Sequence, residues 1–324
     1  GPPDPWPRNK AMELGPRDRL SQAFWHEERK GRTIATRHGA AVNLDLRQLG
    51  AKKLHERLPQ ICELAESFLG IDPAEKPIPV RPAVHYTMGG IWVNGETATT
   101  LAGLFAVGEC SSIGIHGANR LGSNSLAELS VFGKVAGEAA ARCARLLPPG
   151  PIAKLERQVD DVYRRAIDLM RNETGGERLA TLRDTMAESM EAGCGIFRFE
   201  SEMKKTCDTL AELKGRYRRL QLYDTSRAWN TEWLAAIELG YQIDVAEAMA
   251  HSARGRKESR GAHSRIDGFE QRDDVNFLKH TLAVYRAEGP PAISYSPVTI
   301  TRSPPGKRAY GAEGERLASQ GAEP

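Results

Sequence analysis

The stretch Leu104-Phe105-Ala106-Val107-Gly108-Glu109 runs into a glycine-rich loop, and Ser125-Leu126-Ala127-Glu128 then opens a long helical pattern. Four apolar residues between glycines predict a short buried strand. Glu109 stands at its end, next to a Gly that lets a ligand approach, where a carboxylate can accept hydrogen bonds from sugar-type hydroxyls. Ser125 and Glu128 have capping-box spacing and predict a helix N-terminus whose N–H groups and dipole suit an anion. Strand, carboxylate, loop and helix in this order suit a ligand-binding piece of an α/β fold. The same order also describes an ordinary α/β turn, and the residues alone do not separate the two.

Around this centre, glycines at 89, 90, 95, 103, 108, 114, 117 and 122 punctuate short apolar segments. The helix from Ser125 carries small residues at Gly133, Ala136, Gly137, Ala140 and Ala141, which predict close approach to neighbouring elements. Upstream, Ala41-Val42-Asn43-Leu44-Asp45-Leu46 alternates as a half-buried strand does, and Leu54, Leu58, Ile61, Leu64, Ala65, Phe68 and Leu69 recur at helical spacing until Gly70 stops them. Pro73, Pro77, Pro79 and Pro82 stiffen the next segment and suggest a domain boundary. Downstream, Leu155, Val159, Val162, Ala166, Leu169 and Met170 predict one amphipathic helix, and Met203, Cys207, Leu210 and Leu213 another. Trp233, Leu234, Ile237, Leu239, Val245, Ala246 and Met249 extend the helical pattern, so a bundle is the expected packing. The last 70 or so residues return to strand-like runs, Ala292-Ile293-Ser294-Tyr295 and Val298-Thr299-Ile300, before a polar tail expected to be disordered.

The 324 residues exceed what one hydrophobic core usually supports, so several domains or parts of domains are expected. A formal net charge of +3, with acidic and basic residues interspersed, gives no basis for nucleic-acid binding. No apolar run reaches the roughly 20 residues of a membrane span, and the chain is expected to be soluble. The cysteines at 62, 110, 143, 194 and 207 form no C-x-x-C pair and no metal-ligand set, which predicts free thiols in a reducing compartment. The opening Gly1-Pro2-Pro3-Asp4-Pro5-Trp6-Pro7 has no initiator Met or signal pattern and reads as the middle of a longer protein.

Longer motifs identify a family. Arg81-Pro82-Ala83-Val84-His85-Tyr86-Thr87-Met88-Gly89-Gly90-Ile91 closely resembles a signature of the succinate dehydrogenase and fumarate reductase flavoproteins. Gly108-Glu109 through His116-Gly117-Ala118-Asn119-Arg120-Leu121-Gly122-Ser123-Asn124-Ser125-Leu126 resembles a second. Met12-Glu13-Leu14-Gly15-Pro16-Arg17-Asp18, Arg256-Lys257-Glu258-Ser259-Arg260-Gly261-Ala262-His263 and Pro304-Pro305-Gly306-Lys307-Arg308 match in family order. The first of these, with Asn-Ser-Leu-Ala-Glu-Leu, looks more like quinol:fumarate reductases than succinate dehydrogenases.

The resemblance implies a multidomain protein of mixed α+β and α/β class. Its parts are the end of a capping domain (1–82), the flavin-proximal part of a Rossmann-like FAD-binding domain (83–147), a helical domain (148–255) and a small C-terminal α+β domain (256–324). It implies that Glu109, Ser125 and Leu126 touch FAD, that His85 and Arg120 hold fumarate or succinate, and that Arg17 delivers the proton; no metal ligand is implied. The implied partners are an iron–sulfur protein subunit and, through the complex, membrane anchor subunits. The implied location is peripheral, on the cytoplasmic face of the bacterial inner membrane, in anaerobic respiration. His116 and His263 are expected to be structural, Cys110 a buried inert thiol, and the run from Arg256 to Arg260 a solvated, structural or subunit-contact segment. No G-x-G-x-x-G turn for the diphosphate occurs, and the His for covalent FAD attachment is expected outside this chain. The chain by itself is therefore expected to be inactive. Succinate dehydrogenase and a non-catalytic scaffold that docks an iron–sulfur subunit are the competing readings; three dicarboxylate-directed groups argue against a scaffold.

Overall fold

A computed structural model describes residues 17–37, 39–148, 150–171, 176–301 and 305–306. Residues 12–16 of the Met12–Asp18 motif, the motif at Pro304 apart from Pro305 and Gly306, and the polar tail lie outside them. The chain divides into two compact units, the described residues 17–85 with 305–306 and the described residues 86–301.

The first unit opens with α1 (Arg17–Arg29), which buries Phe24. Strands β1 (Ile34–Thr36) and β2 (Gly39–Leu44) pair antiparallel, and β2 pairs with a third strand in the register Val42 to Val80 and Leu44 to Ile78. The predicted helix is two helices, α2 (Ala51–Arg57) and α3 (Pro59–Leu69). Pro59 cannot continue a helical hydrogen-bond ladder but suits the first position of a new helix, so the break falls at Leu58. Gly70 ends α3 in the left-handed conformation, φ 64°, and its N–H caps the last turn. Leu54, Cys62 and Ala65 face inward. The third strand, β3 (Ile78–Val80), lies in the proline-rich segment.

In the second unit, β4 (Ile91–Trp92) pairs parallel with β5 (Ser111–Ser112). The predicted strand at Leu104 is instead a single antiparallel bridge between Phe105 and Ala98, and Leu104 is exposed. The run's backbone bonds go to the segment just before it, Thr99 N–H to the Leu104 carbonyl at 2.9 Å and Ala106 N–H to the Thr97 carbonyl at 3.0 Å, so it closes a local turn and joins no parallel sheet. Helix α4 (Asn124–Leu146) follows. Its Gly133 and Gly137 approach no described neighbour within van der Waals distance, contrary to the close packing expected.

Helix α5 (Ile152–Asp168) keeps Leu155, Val159 and Val162 exposed, while Leu169 and Met170, just past its end, pack against the core of the following helices, so the predicted apolar face is buried only at its C-terminal end. Then come β6 (Glu177–Arg178), α6 (Leu179–Cys194), α7 (Glu200–Tyr217), β7 (Leu220–Gln221), which pairs parallel with β6, and α8 (Thr231–Gly255). Helices α6, α7 and α8 form the expected bundle around Leu182, Leu210, Leu213, Leu239 and Ile243. In α8 the buried face is Ala236, Leu239, Ile243, Ala246 and Ala250, while Leu234, Val245 and Met249 point outward. Asn230 starts α8 by accepting a 2.7 Å bond from the Trp233 N–H, and the Trp233 indole N–H bonds the Ala166 carbonyl at 2.7 Å, tying the end of α5 to α8. The chain continues through α9 (Asp274–Phe277) to an antiparallel hairpin of β8 (Lys279–Val284) and β9 (Ala292–Pro297). Val298–Ile300 stays outside it, because Pro297 has no N–H to carry the ladder on. No helix among the described residues is long and apolar enough to cross a membrane.

Candidate functional site

The predicted site residues divide between the two units. Arg17 is the first residue of α1 and is exposed; its carbonyl accepts the Ser21 hydroxyl at 3.0 Å. His85, also exposed, ends the described main run of the first unit. Glu109, Arg120, Ser125 and Leu126 belong to the second.

Within the second unit the residues around Arg120 interlock. Glu128 is 2% exposed, yet its carboxylate is well partnered: His116 Nε2 lies at 2.6 Å and the Tyr86 hydroxyl donates at 3.2 Å. The capping box predicted at Ser125 and Glu128 does not form. The helix starts at Asn124 with Ser123 as its N-cap, at φ 66° and without a side-chain cap bond, so Ser125 lies inside the first turn, and Glu128 bonds His116 and Tyr86. His116 and Tyr86 also meet edge to face, with ring centroids 5.5 Å apart. Burial, followed by the Glu128 charge, raises the Tyr86 phenol above its ordinary pKa, so it stays a neutral donor.

The Arg120 guanidinium stacks over the Tyr86 ring at 4.4 Å and makes a 3.3 Å bond to the Leu121 carbonyl. Its Nε is buried with no hydrogen-bond partner among the described residues. A buried, unsatisfied cationic N–H is costly, and an anionic ligand would satisfy it. Nearby in the fold, the Glu109 carboxylate accepts the Thr87 N–H at 2.8 Å, which joins the Arg81–Ile91 motif to the Gly108–Leu126 motif. Cys110, expected to be buried, is exposed: it ends the short turn Gly108–Cys110, and its thiol reaches only the Val107 carbonyl, at 3.4 Å.

The Arg256 motif is no solvated face. Glu258, fully buried, accepts Arg256 Nε at 2.9 Å, Arg260 Nε at 2.8 Å and the Asp273 N–H at 2.9 Å. His263 is held between Arg198, which donates to Nδ1 at 2.9 Å, and the Arg256 carbonyl, 3.1 Å from Nε2. These two bonds fix the neutral tautomer with the proton on Nε2. Burial first, then the Arg198 charge, lowers the His263 pKa to about 4. The unfolded chain takes up this proton below its ordinary value of 6.5, and the folded protein takes it up only near 4. Stability is therefore unaffected above pH 6.5 and falls as pH drops from 6.5 to 4, by up to about 1.4 kcal/mol per pH unit. Denaturant titrations of the wild type and His263→Gln across this window check it: the variant is expected to lose that part of the slope, and parallel curves would refute the assignment.

Two family models match the chain: "FAD binding domain" over residues 7–126 and "fumarate reductase flavoprotein C-term" over residues 183–310. Together with the α/β segment around Glu109, they define the class, an FAD-binding flavoprotein. The chain is 60% identical over 308 residues to a fumarate reductase flavoprotein subunit from Proteus vulgaris, covering 95% of this chain and 51% of that protein. It is 37% identical to a succinate dehydrogenase flavoprotein subunit from Rickettsia felis, covering 93% of this chain and 52% of that protein. A solved structure of the quinol fumarate reductase flavoprotein from Escherichia coli superposes with a TM-score of 0.86 at 58% identity, covering 96% of this chain and 54% of that one. The chain belongs to the fumarate reductase and succinate dehydrogenase flavoprotein family, and it spans about half the length of the curated relatives it matches.

The residues present fit a flavin. The N-terminus of α4 carries no side-chain cap, Leu126 is 68% exposed beside it, and the second oxygen of Glu109 accepts no bond from a described residue. An uncapped helix start suits an electron-rich ring edge, an exposed Leu suits its apolar face, and a half-used carboxylate suits a hydroxyl-bearing chain.

Proposed function

We propose that this chain is part of the flavoprotein subunit of a fumarate reductase, an enzyme that interconverts fumarate and succinate. The higher likeness to fumarate reductase than to succinate dehydrogenase subunits carries this reading. Bound FAD supplies the hydride. Glu109 holds the ribityl hydroxyls, and the start of α4, at Ser125 and Leu126, faces the pyrimidine edge, where its dipole favours negative charge by roughly 0.3 to 2 kcal/mol. His85 and Arg120 hold the two carboxylates of the substrate. A guanidinium grips a carboxylate with two parallel hydrogen bonds, and the grip draws electron density toward the alkene carbon attached to that carboxylate, which takes the proton, and leaves the alkene carbon β to it open to hydride. Arg17 donates the proton from the capping domain. Because arginine is a poor acid at its ordinary pKa, this role requires neighbours that relay the proton to it.

Electrons reach the flavin from quinol through an iron–sulfur subunit, and membrane anchor subunits place the protein at the cytoplasmic face of the inner membrane. The domain division at 82, 147 and 255 belongs to the same reading. Calorimetric titration of the flavin-loaded holoenzyme tests the site. Malonate and fumarate are expected to bind at least about tenfold more tightly than propionate, since a monocarboxylate leaves one charge-assisted contact unused. Equal affinities would overturn the dicarboxylate assignment.

A further inference from the structure

We infer that residues 256–265 are the anchor that sets the position of the loop carrying Arg120, with Gly261 as the positioning residue at the contact. This rests on reading Arg120 as the dicarboxylate grip. The Ala262 N–H donates to the Ala118 carbonyl at 2.9 Å, two residues before Arg120. Gly261 sits at φ +59°, and a Cβ there would lie 2.5 Å from the Ala118 carbonyl oxygen and 2.6 Å from its carbon. Both atoms are backbone, so no side chain can swing aside; the loop itself would have to move. Glycine is required here for the approach as well as for the backbone conformation.

The anchoring segment is held from several directions. Glu258 gathers Arg256, Arg260 and the Asp273 N–H; Arg256 also reaches the Thr281 hydroxyl at 2.7 Å on β8, and Arg260 reaches Asp274 at 2.7 Å on α9. Arg198, just before α7, fixes His263, and Arg265, 1% exposed, pairs with both oxygens of Asp267 at 2.7 and 2.6 Å. On the loop side, His116 is held to the buried Glu128 at 2.6 Å, while between Ala118 and the start of α4 Arg120 has its stacking on Tyr86 and a 3.3 Å bond to Leu121. The network meets the loop between these ties, at the Ala262–Ala118 backbone bond beside a glycine. Displacing Ala118 displaces Arg120, and misplacing a substrate-binding group by about 1 Å can cost up to about 100-fold.

The test compares Gly261→Ala with Gly268→Ala in the flavin-loaded holoenzyme. Gly268 has φ +93° with nothing near its would-be Cβ, so its variant carries backbone strain without the contact. Gly261→Ala is expected to raise KM for fumarate and Kd for malonate at least about tenfold with kcat changed less than about threefold and flavin content intact, the pattern of lost binding. Gly268→Ala is expected to leave both constants within about twofold. Wild-type constants in Gly261→Ala, or equal losses in the two variants, would overturn the inference. Amide exchange of Ala262 in the unmodified holoenzyme needs no variant: malonate on Arg120 is expected to slow it, and an unchanged rate contradicts the coupling. If the wild type itself fails to bind malonate, the underlying reading of Arg120 falls, an outcome distinct from either variant result.

Discussion

Arg17→Lys is expected to lower kcat for fumarate reduction by at least about 100-fold, the usual scale of a positioned acid or base, while flavin content and malonate affinity stay near wild type. Lysine keeps the positive charge but shortens the donor and replaces the planar fork with a compact ammonium. The dianion still meets a cation, so ground-state binding survives. Proton delivery to a carbon atom depends on reach and direction, and that is what the substitution removes. Loss of kcat with little change in binding marks an interaction made chiefly in the transition state. Arg17, at the start of α1, is exposed on its own unit. Steady-state kinetics with malonate inhibition in the assembled enzyme decide it. Near-normal turnover would move Arg17 to binding or structure.

Arg120→Ala is expected to do the reverse. Two charge-assisted hydrogen bonds at about 1.5 to 3 kcal/mol each vanish together, so Kd for malonate should rise at least about 100-fold. The buried Nε without a partner supports this size, since a ligand carboxylate satisfies a donor that otherwise stays unpaired. Tyr86 loses its stacked cation but keeps its bond to Glu128, so the fold around Glu128 should survive. An unchanged malonate constant in a folded, flavin-bearing variant would remove Arg120 from the substrate site.

Local rules were legible wherever the determinant lay within a few residues. Gly70 ends its helix as its place after Leu69 predicts, and Met203, Cys207, Leu210 and Leu213 are all buried along α7. A strand does form at Ala41, but it ends at Leu44 and buries Ala41 while Leu44 is exposed, so the predicted alternation is not kept. The misreadings share a cause. The Ser125 and Glu128 spacing resembles a capping box, but Glu128 is claimed by His116 and by Tyr86, 42 residues away, and helix starts do not encode that. The apolar run at Leu104 resembles a core strand, yet its strand character depends on flanking partners that a single run does not specify. The charges from Arg256 to Arg260 left a structural and a subunit-contact role open, because pairing with a buried Glu258 is a matter of folding back, invisible in a linear run.

The candidate residues were named through whole motifs more than through single residues. Glu109, Arg120, Ser125 and Leu126 were picked out because they sit in matched segments. The geometry adds what the motifs leave unsaid: Tyr86 lies under Arg120, and Thr87 is tied to Glu109. A Tyr directly after His85 was the available signal for the first, since an aromatic near a binding arginine is a natural stacking surface. Nothing in the sequence pointed from Gly261 to Ala118, which lie 143 residues apart and meet through backbone atoms alone.

The central claim is that the flavin-loaded protein reduces fumarate. Anaerobic oxidation of reduced viologen by the holoenzyme measures it most directly, with succinate quantified at the end of the reaction. The account predicts fumarate-dependent oxidation that yields one succinate per two electrons consumed and that malonate suppresses. A holoenzyme that carries flavin, binds malonate and forms no succinate from fumarate would contradict it.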